Sequence, residues 1–376
     1  MQKIIRQKNN RFSTNTGLLL LGVLITIASC TKPPEPGIAY GYKYLVSSSA
    51  IHPATRIDPN FKNGWGIAFS GGGVAWVSVA GPAGISAVLD KEGNELIAGG
   101  VTIPSPGNPT SGGHPSGQIF NNTSDFKLPN GNPARFIFAG LDGIISGWNG
   151  GPAAVTAIDN TKGGAVYSGI AMAQDAGSSF IYAANFSLGR IDVWDKNWAP
   201  VTNKPFVDPD LPADYSPFNI QNVSGLLFVM YAKGDHGEEE PAPGAGIVDV
   251  YSPNGNLISR FASHGSLNAP WGITEAPKGF WGDNGEDNAT GIILIGNFGD
   301  GHINVFDKFG SWLGQLNRKG QPLVIEGLWG IAFPPSTATT VDPGRLYFAA
   351  GPEDETNGVF GYIRNLTKPS PPGQGE

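Results

Sequence analysis

One short pattern recurs six times along this chain, every 50 to 58 residues, and nothing else in the sequence constrains the fold as strongly. It reads Trp65-Gly66-Ile67-Ala68-Phe69, then Ser116-Gly117-Gln118-Ile119-Phe120 and Ser168-Gly169-Ile170-Ala171-Met172. It returns as Phe218-Asn219-Ile220, Trp271-Gly272-Ile273-Thr274 and Trp329-Gly330-Ile331-Ala332-Phe333. Self-similarity at such a period marks a repeat architecture. Each copy is followed by an apolar strand, a polar turn, and a Gly that opens another strand. Phe180-Ile181-Tyr182-Ala183, for example, leads to Gly189-Arg190-Ile191-Asp192-Val193-Trp194. The alternation in Ile191 to Trp194, and again in Ile303-Asn304-Val305-Phe306, has the period of two of a half-buried strand. An outer strand follows in most units, as in Asn256 to Phe261. A four-stranded sheet of this kind cannot cover both of its faces alone, whereas six of them stacked around an axis can. The expectation is an all-β chain: a six-bladed β-propeller with four-stranded blades. A sandwich lacks the regular period, and a β-helix needs a much shorter one.

The sixth unit has little chain left for an outer strand after Tyr362. Tyr42-Lys43-Tyr44-Leu45-Val46, which precedes the first copy, is an orphan strand that fits the vacancy and closes the ring. The propeller is therefore placed at residues 40–364, with a disordered tail over 365–376 that contains Pro369, Pro371 and Pro372.

Residues 1–29 read as a targeting segment. Lys3, Arg6, Lys8 and Arg11 form a cationic start with no acidic residue, and Leu18 to Ile27 is apolar but too short for a permanent span. The segment ends in Ile27-Ala28-Ser29-Cys30, which resembles the bacterial lipobox, so Cys30 is the expected lipidation site and residues 30–39 an extended tether. Cys30 is the only cysteine, which excludes an intramolecular disulfide. The chain carries −7; without the four cations of the leader the remainder carries −11. With no basic run after Cys30, this argues against nucleic acid and against a surface that grips anionic lipid. The expected setting is the cell envelope, on the outer membrane, with the lipid as sole anchor and the protein monomeric.

The chain resembles NHL-like six-bladed propellers, and more closely an uncharacterised family of secreted bacterial propeller proteins. The resemblance rests on Asp58-Pro59-Asn60 before Asn63-Gly64-Trp65, on Pro115 to Asn121, on Ala139 to Asn149 and on Pro217 to Asn222, and it covers about 40 to 363. It implies architecture and export and carries no established activity.

In a propeller, ligands usually meet the face where the loops converge on the axis. That face is expected to carry Trp65, Phe218, Trp271 and Trp329, with Asp142, Asn185, Asn297, Asp300, Glu353, Asp354 and Glu355 around them. The longest of its loops, Lys233 to Gly244, adds Asp235, His236 and Glu238-Glu239-Glu240. Flat rings stack and amides or carboxylates fix hydroxyls, which suits a polar ligand such as a glycan or a peptide, or a protein partner. The competing reading is that the Trp rings wedge into the core. Ser116 and Ser168 occupy the same repeat position, which argues that the position tolerates small residues and that the large ones face an open axis. Trp148, Trp194 and Phe306 occupy equivalent strand positions and read as packing between blades.

No cofactor is assigned. Asp283-Asn284-Gly285-Glu286-Asp287-Asn288 offers hard oxygen ligands, with Asp283 and Asp287 as candidates for Ca²⁺, but it breaks the EF-hand register. The five histidines lack zinc spacing. No catalytic residue is assigned either: there is no G-x-S-x-G elbow, and Ser266 beside His264 lacks an orienter. The leading expectation is a lipid-anchored binding or interaction module. The alternative is a metal-dependent hydrolase or lactonase of the gluconolactonase type, for which Asn219, Asn297 and Glu326 supply an incomplete set.

Overall fold

Every copy of the repeated pattern becomes the innermost strand of a blade. In the computed structural model, which describes residues 39–235, 238–282 and 291–367, these strands are Gly64–Phe69, Pro115–Phe120, Tyr167–Asp175, Tyr215–Val223, Pro270–Glu275 and Leu328–Ala332. Each begins an antiparallel sheet that runs outward in chain order. Blade two, for example, continues through Phe136–Gly140 and Ile144–Trp148 to Val155–Asp159. The six sheets form a six-bladed β-propeller. Apart from one 3-10 turn at Thr161–Gly163, no helix occurs among the described residues.

Blade three departs from the expected four strands. After Tyr167–Asp175, Ser178–Asn185 and Arg190–Asp195, its outer strand shrinks to a single bridge between Trp194 and Pro200. Pro200 has no N–H to give to a ladder, and Pro205 follows closely, so the edge cannot extend.

The ring closes as the orphan strand predicts. Tyr40–Ser47 lies antiparallel to Val359–Asn365, in register from Tyr40 opposite Asn365 to Ser47 opposite Val359. Tyr40, Leu45 and Val46 are buried, and the Tyr40 hydroxyl donates to the Phe280 carbonyl of blade five at 2.9 Å. The last strand runs through Asn365, one residue into the expected tail. Residues 368–376, the leader, Cys30 and nearly all of the tether lie outside the described residues.

The core is a set of apolar slabs between neighbouring blades. Trp194 packs with Phe126 and Ile137 of blade two, and Phe306 with Phe228 and Phe261 of blade four. Trp148 meets Trp76 of blade one at 4.8 Å between ring centroids.

Nearer the axis, the second position of the repeat sets how closely the blades approach. A Cβ on Gly330 would lie 2.4 Å from the Trp65 carbonyl oxygen, and one on Gly272 would lie 2.7 Å from that of Trp329. Innermost strands therefore touch backbone to backbone at Gly272 and Gly330, where only Gly fits. Blade four carries Asn219 instead. Its Nδ2 donates to the Trp271 carbonyl at 2.7 Å, and its Oδ1 accepts from the Ile220 amide at 2.8 Å.

All six innermost strands run the same way along the axis. The propeller thus has an entry end, where the repeats begin with Trp65 and its equivalents, and an exit end, where they finish with Phe69 and its equivalents. Strand alternation in blade six puts both Tyr40 and Asn365 at the exit end.

Candidate functional site

At the entry end the first repeat position forms a plug. Trp65, Phe218, Trp271 and Trp329 converge on the axis, yet only 4, 1, 2 and 0% of their surfaces are exposed. Trp65 and Trp329 stack with centroids 3.5 Å apart, and Trp271 meets each edge-on at 5.8 Å. Phe298 covers the other face of Trp329 at 4.0 Å. Trp271 reaches from blade five across to blade three, where its Nε1 donates to the Ser168 carbonyl at 3.1 Å. Ser168 and Ser116 are themselves buried, and the Ser116 hydroxyl donates to the Tyr167 carbonyl at 2.5 Å.

This arrangement overturns one expectation. Serine in two blades does not mean that the position tolerates small residues. All six side chains share one axial volume, and the two serines make the room that the three indoles fill. The aromatic set closes the axis instead of lining an open mouth.

Carboxylates lie around this plug. The Trp329 Nε1 divides its proton between Asn63 Oδ1 at 3.2 Å and Glu355 Oε1 at 3.1 Å. Glu355 sits in a run of three consecutive non-glycine residues with left-handed backbones: Glu353 at φ 57°, Asp354 at 50° and Glu355 at 62°. Each such residue costs about 1–2 kcal/mol relative to an ordinary conformation. Turn bonds hold the run in place: the Glu355 amide donates to Gly351 O at 3.1 Å, and the Glu353 amide to Glu326 Oε1 at 2.9 Å. Burial raises the Glu355 carboxyl above its usual range, opposed by the hydrogen bonds from Trp329 and Asn63.

Blade four supplies a second carboxylate. Strand Leu226–Asp235 outruns its neighbours, and Glu238–Glu239 folds back on it with Glu239 opposite Gly234. Burial pushes Glu239 up to about 7, and the charges of Glu355 and Glu238 act in the same direction. Lys233, the cation of this loop, lies 3.4 Å from Glu240 and 3.8 Å from Asp214. His236 lies outside the described residues.

The other candidates at this end mostly bind their own turns. Asn185 Nδ2 donates to Asp192 at 2.7 Å, and Asn297 Nδ2 to the Ser266 carbonyl at 2.8 Å. Asp300 accepts from the His302 amide at 3.1 Å, and Asp142 from the Ile144 amide at 3.3 Å. Burial raises the Asp142 carboxyl. Trp65 Nε1, Asp142 Oδ2 and Asn297 Oδ1 are buried without a hydrogen-bond partner.

Two of the three residues that the lactonase alternative would draw on are engaged elsewhere. Both amide atoms of Asn219 bond backbone groups, and Glu326 holds the Glu353 turn. Among the described residues no three His, Cys, Asp or Glu side chains gather as a metal site. Asp283 and Asp287 lie outside the described residues.

The exit end differs. All six innermost strands contribute there to an axial funnel of about 560 Å³. Sequence reasoning passed over it, although a signal was present at the fourth repeat position. Ala68, Ile119, Ala171 and Ala332 are apolar, whereas blades four and five carry Gln221 and Thr274.

No family model matches the chain. The uncharacterised protein R648 of Acanthamoeba polyphaga mimivirus is 32% identical over 338 residues, covering 85% of this chain and 79% of that protein. The uncharacterised protein L690 of the same virus is 32% identical over 340 residues, covering 85% and 84%. These relatives are viral and give no support to the bacterial origin that the sequence resemblance implied. Among solved structures, a protein of unknown function from Bacteroides thetaiotaomicron aligns with a TM-score of 0.53 at 12% identity, over 87% of this chain and 77% of that one. A streptogramin B lyase aligns with a TM-score of 0.50 at 13% identity, over 87% and 98%. Likeness at such identities shows the propeller fold alone.

Proposed function

The chain belongs to the same family as the mimivirus proteins R648 and L690, and from that premise we propose that it is a non-catalytic binding module whose entry end takes a polar ligand rich in N–H and O–H donors. One observation carries this reading. Three consecutive acidic residues adopt left-handed backbones, and the strained turn sets the Glu355 carboxylate on the indole N–H of Trp329, within range of the charge on Glu239. Strain of this kind persists only where surrounding structure enforces it, and it gathers at ligand sites. Two neighbouring carboxylates whose charges repel gain most from a ligand that brings a positive charge or several donors between them. An amino sugar or a lysine-bearing peptide has that chemistry.

Export and lipid anchoring at Cys30 belong to the same proposal. Two experiments test the two halves. Calorimetric titration with glucosamine oligomers should give saturable binding, weakened about tenfold or more in Glu355→Gln. Absence of heat, or unchanged affinity in the variant, overturns the site. Cys30→Ser should move the protein from the membrane to the soluble fraction or leave the precursor uncut, and unaltered membrane fractionation defeats the anchor.

A further inference from the structure

The funnel at the exit end has a chemistry opposite to that of the entry end. Among the described residues no Asp, Glu, Lys, Arg or His lines its about 560 Å³, although the chain as a whole carries −7. The volume lies within the range of small-molecule sites. Its inner limit is the level where the innermost strands touch through Gly66, Gly272 and Gly330, with the aromatic plug beyond.

The wall mixes apolar and polar side chains. Ile67, Ile170, Ile273 and Ile331 come from one repeat position and are buried between the blades, and the apolar side chains left half-buried at the funnel are Ile119, Phe120, Met172, Ala332 and Phe333. Several polar groups of the wall are already satisfied. Gln118 accepts from the Ser86 hydroxyl at 2.8 Å and donates to the Gly66 carbonyl at 2.8 Å. Asn222 donates to the Met172 carbonyl at 2.8 Å and accepts from the Gly225 amide at 2.9 Å.

Gln221 and Thr274 are different. Gln221 Oε1 accepts from the Ile273 amide at 2.8 Å, which fixes the side chain and leaves its NH₂ group without a described partner. The half-buried Thr274 hydroxyl of the adjacent blade, which also lines the funnel, has none either. The wall therefore combines half-buried apolar side chains with one oriented neutral donor, the Gln221 NH₂ group, and the Thr274 hydroxyl of the adjacent blade.

We propose that the funnel binds an uncharged carbonyl compound with an apolar body, its carbonyl oxygen accepting from Gln221 Nε2. A carboxylate is disfavoured, because no cation lines the wall to offset its desolvation. This inference does not depend on the ligand of the entry end.

Prodan is a suitable probe: a neutral naphthalene ketone whose emission moves to the blue in apolar surroundings. Titrated against the full chain, it should show a saturable blue shift. Methyl 2-naphthoate should displace it, and 2-naphthoate should do so at least about tenfold less well. Thr274→Trp fills the funnel and should abolish the shift. Gln221→Met keeps the volume without the donor and should weaken binding by about fivefold to tenfold. Both variants should keep the wild-type circular dichroism spectrum, which separates loss of the site from loss of fold. A shift that survives in Thr274→Trp, equal displacement by the carboxylate, or no saturable signal would each overturn the proposal. Glu355→Gln should leave prodan binding unchanged, so the funnel and the acidic end fail separately.

Discussion

The two ends of the propeller axis are built from the same six strands and differ in almost every physical property. At the entry end, three indoles, a phenyl ring and two serines fill the axis to exclusion of solvent, and acidic loops surround them. At the exit end, four residues further along each strand, the axis stays open, and no charged side chain among the described residues lines it. Backbone geometry is shared, so side-chain volume makes the difference. One repeat position carries large and small residues that complement each other across the axis. The next ring of positions carries residues that pack sideways between blades and leave the centre empty. A propeller axis is therefore open or closed level by level.

The largest expected effect removes both ends together. Strand Tyr40–Ser47 spans blade six from the exit end to the entry end, so its deletion unclasps the ring. Losing Tyr40, Leu45 and Val46 from the core and exposing the edge of Val359–Asn365 should cost more than about 5 kcal/mol, of the order of the whole stability of a domain. A chain lacking 40–47 that still unfolds cooperatively near the wild-type midpoint would show that the ring does not depend on this strand.

The contrast itself is tested by truncation at each end. Trp271→Ala should cost about 3–5 kcal/mol, because a fully packed indole is removed and the Ser168 carbonyl loses its donor. Met172→Ala at the mouth of the funnel, where the side chain is half-buried, should cost about 1 kcal/mol. Denaturant unfolding of both variants decides; equal costs would mean that the two ends are packed alike.

A smaller effect of opposite sign is expected at Asp354. Its φ of 50° favours Gly, and its side chain is exposed. Asp354→Gly should therefore stabilise the protein by roughly 0.5–1 kcal/mol. A neutral or destabilising result would mean that the turn holds no strain to release.

The subtlest test is pH. The Glu239 carboxyl is raised from 4.5 to about 7 in the folded chain, so between these values the folded state binds more protons than the unfolded one. Its contribution falls as pH rises through this window and is least favourable above pH 7. Asp249, raised to about 7 chiefly by burial, adds a slope of the same sign. Glu239→Gln should flatten the decline in melting temperature between pH 4.5 and 7 without abolishing it. An unchanged slope would place Glu239 in solvent.

Much of this was legible in the sequence, for a specific reason. A repeat repeats its solution, so strands at Trp65, Ser116 and Ser168 announce the strand at Phe218 even where Asn219 breaks the glycine pattern. The orphan strand before the first copy and the missing strand in the sixth followed from counting. The thin edge of blade three was also readable, from Pro200 and Pro205, yet counting strands gave no reason to look there. The acidic loops were legible as composition, and their placement at one end followed from strand alternation.

What the sequence could not express was the axis. Residues at one repeat position are about 50 apart in the chain and meet only in the closed ring, so their volumes are set jointly. Ser168 and Trp271 look like alternatives when the repeats are aligned; in space they are partners, one making room for the other. The same holds for Gln221 and Thr274, which look like scatter among apolar residues until the closed ring brings both to the lining of one funnel. Local chemistry fixes what each strand is, because it depends on near neighbours. Which side chains share the centre depends on six strands closing at once, and that condition exists only in the folded ring.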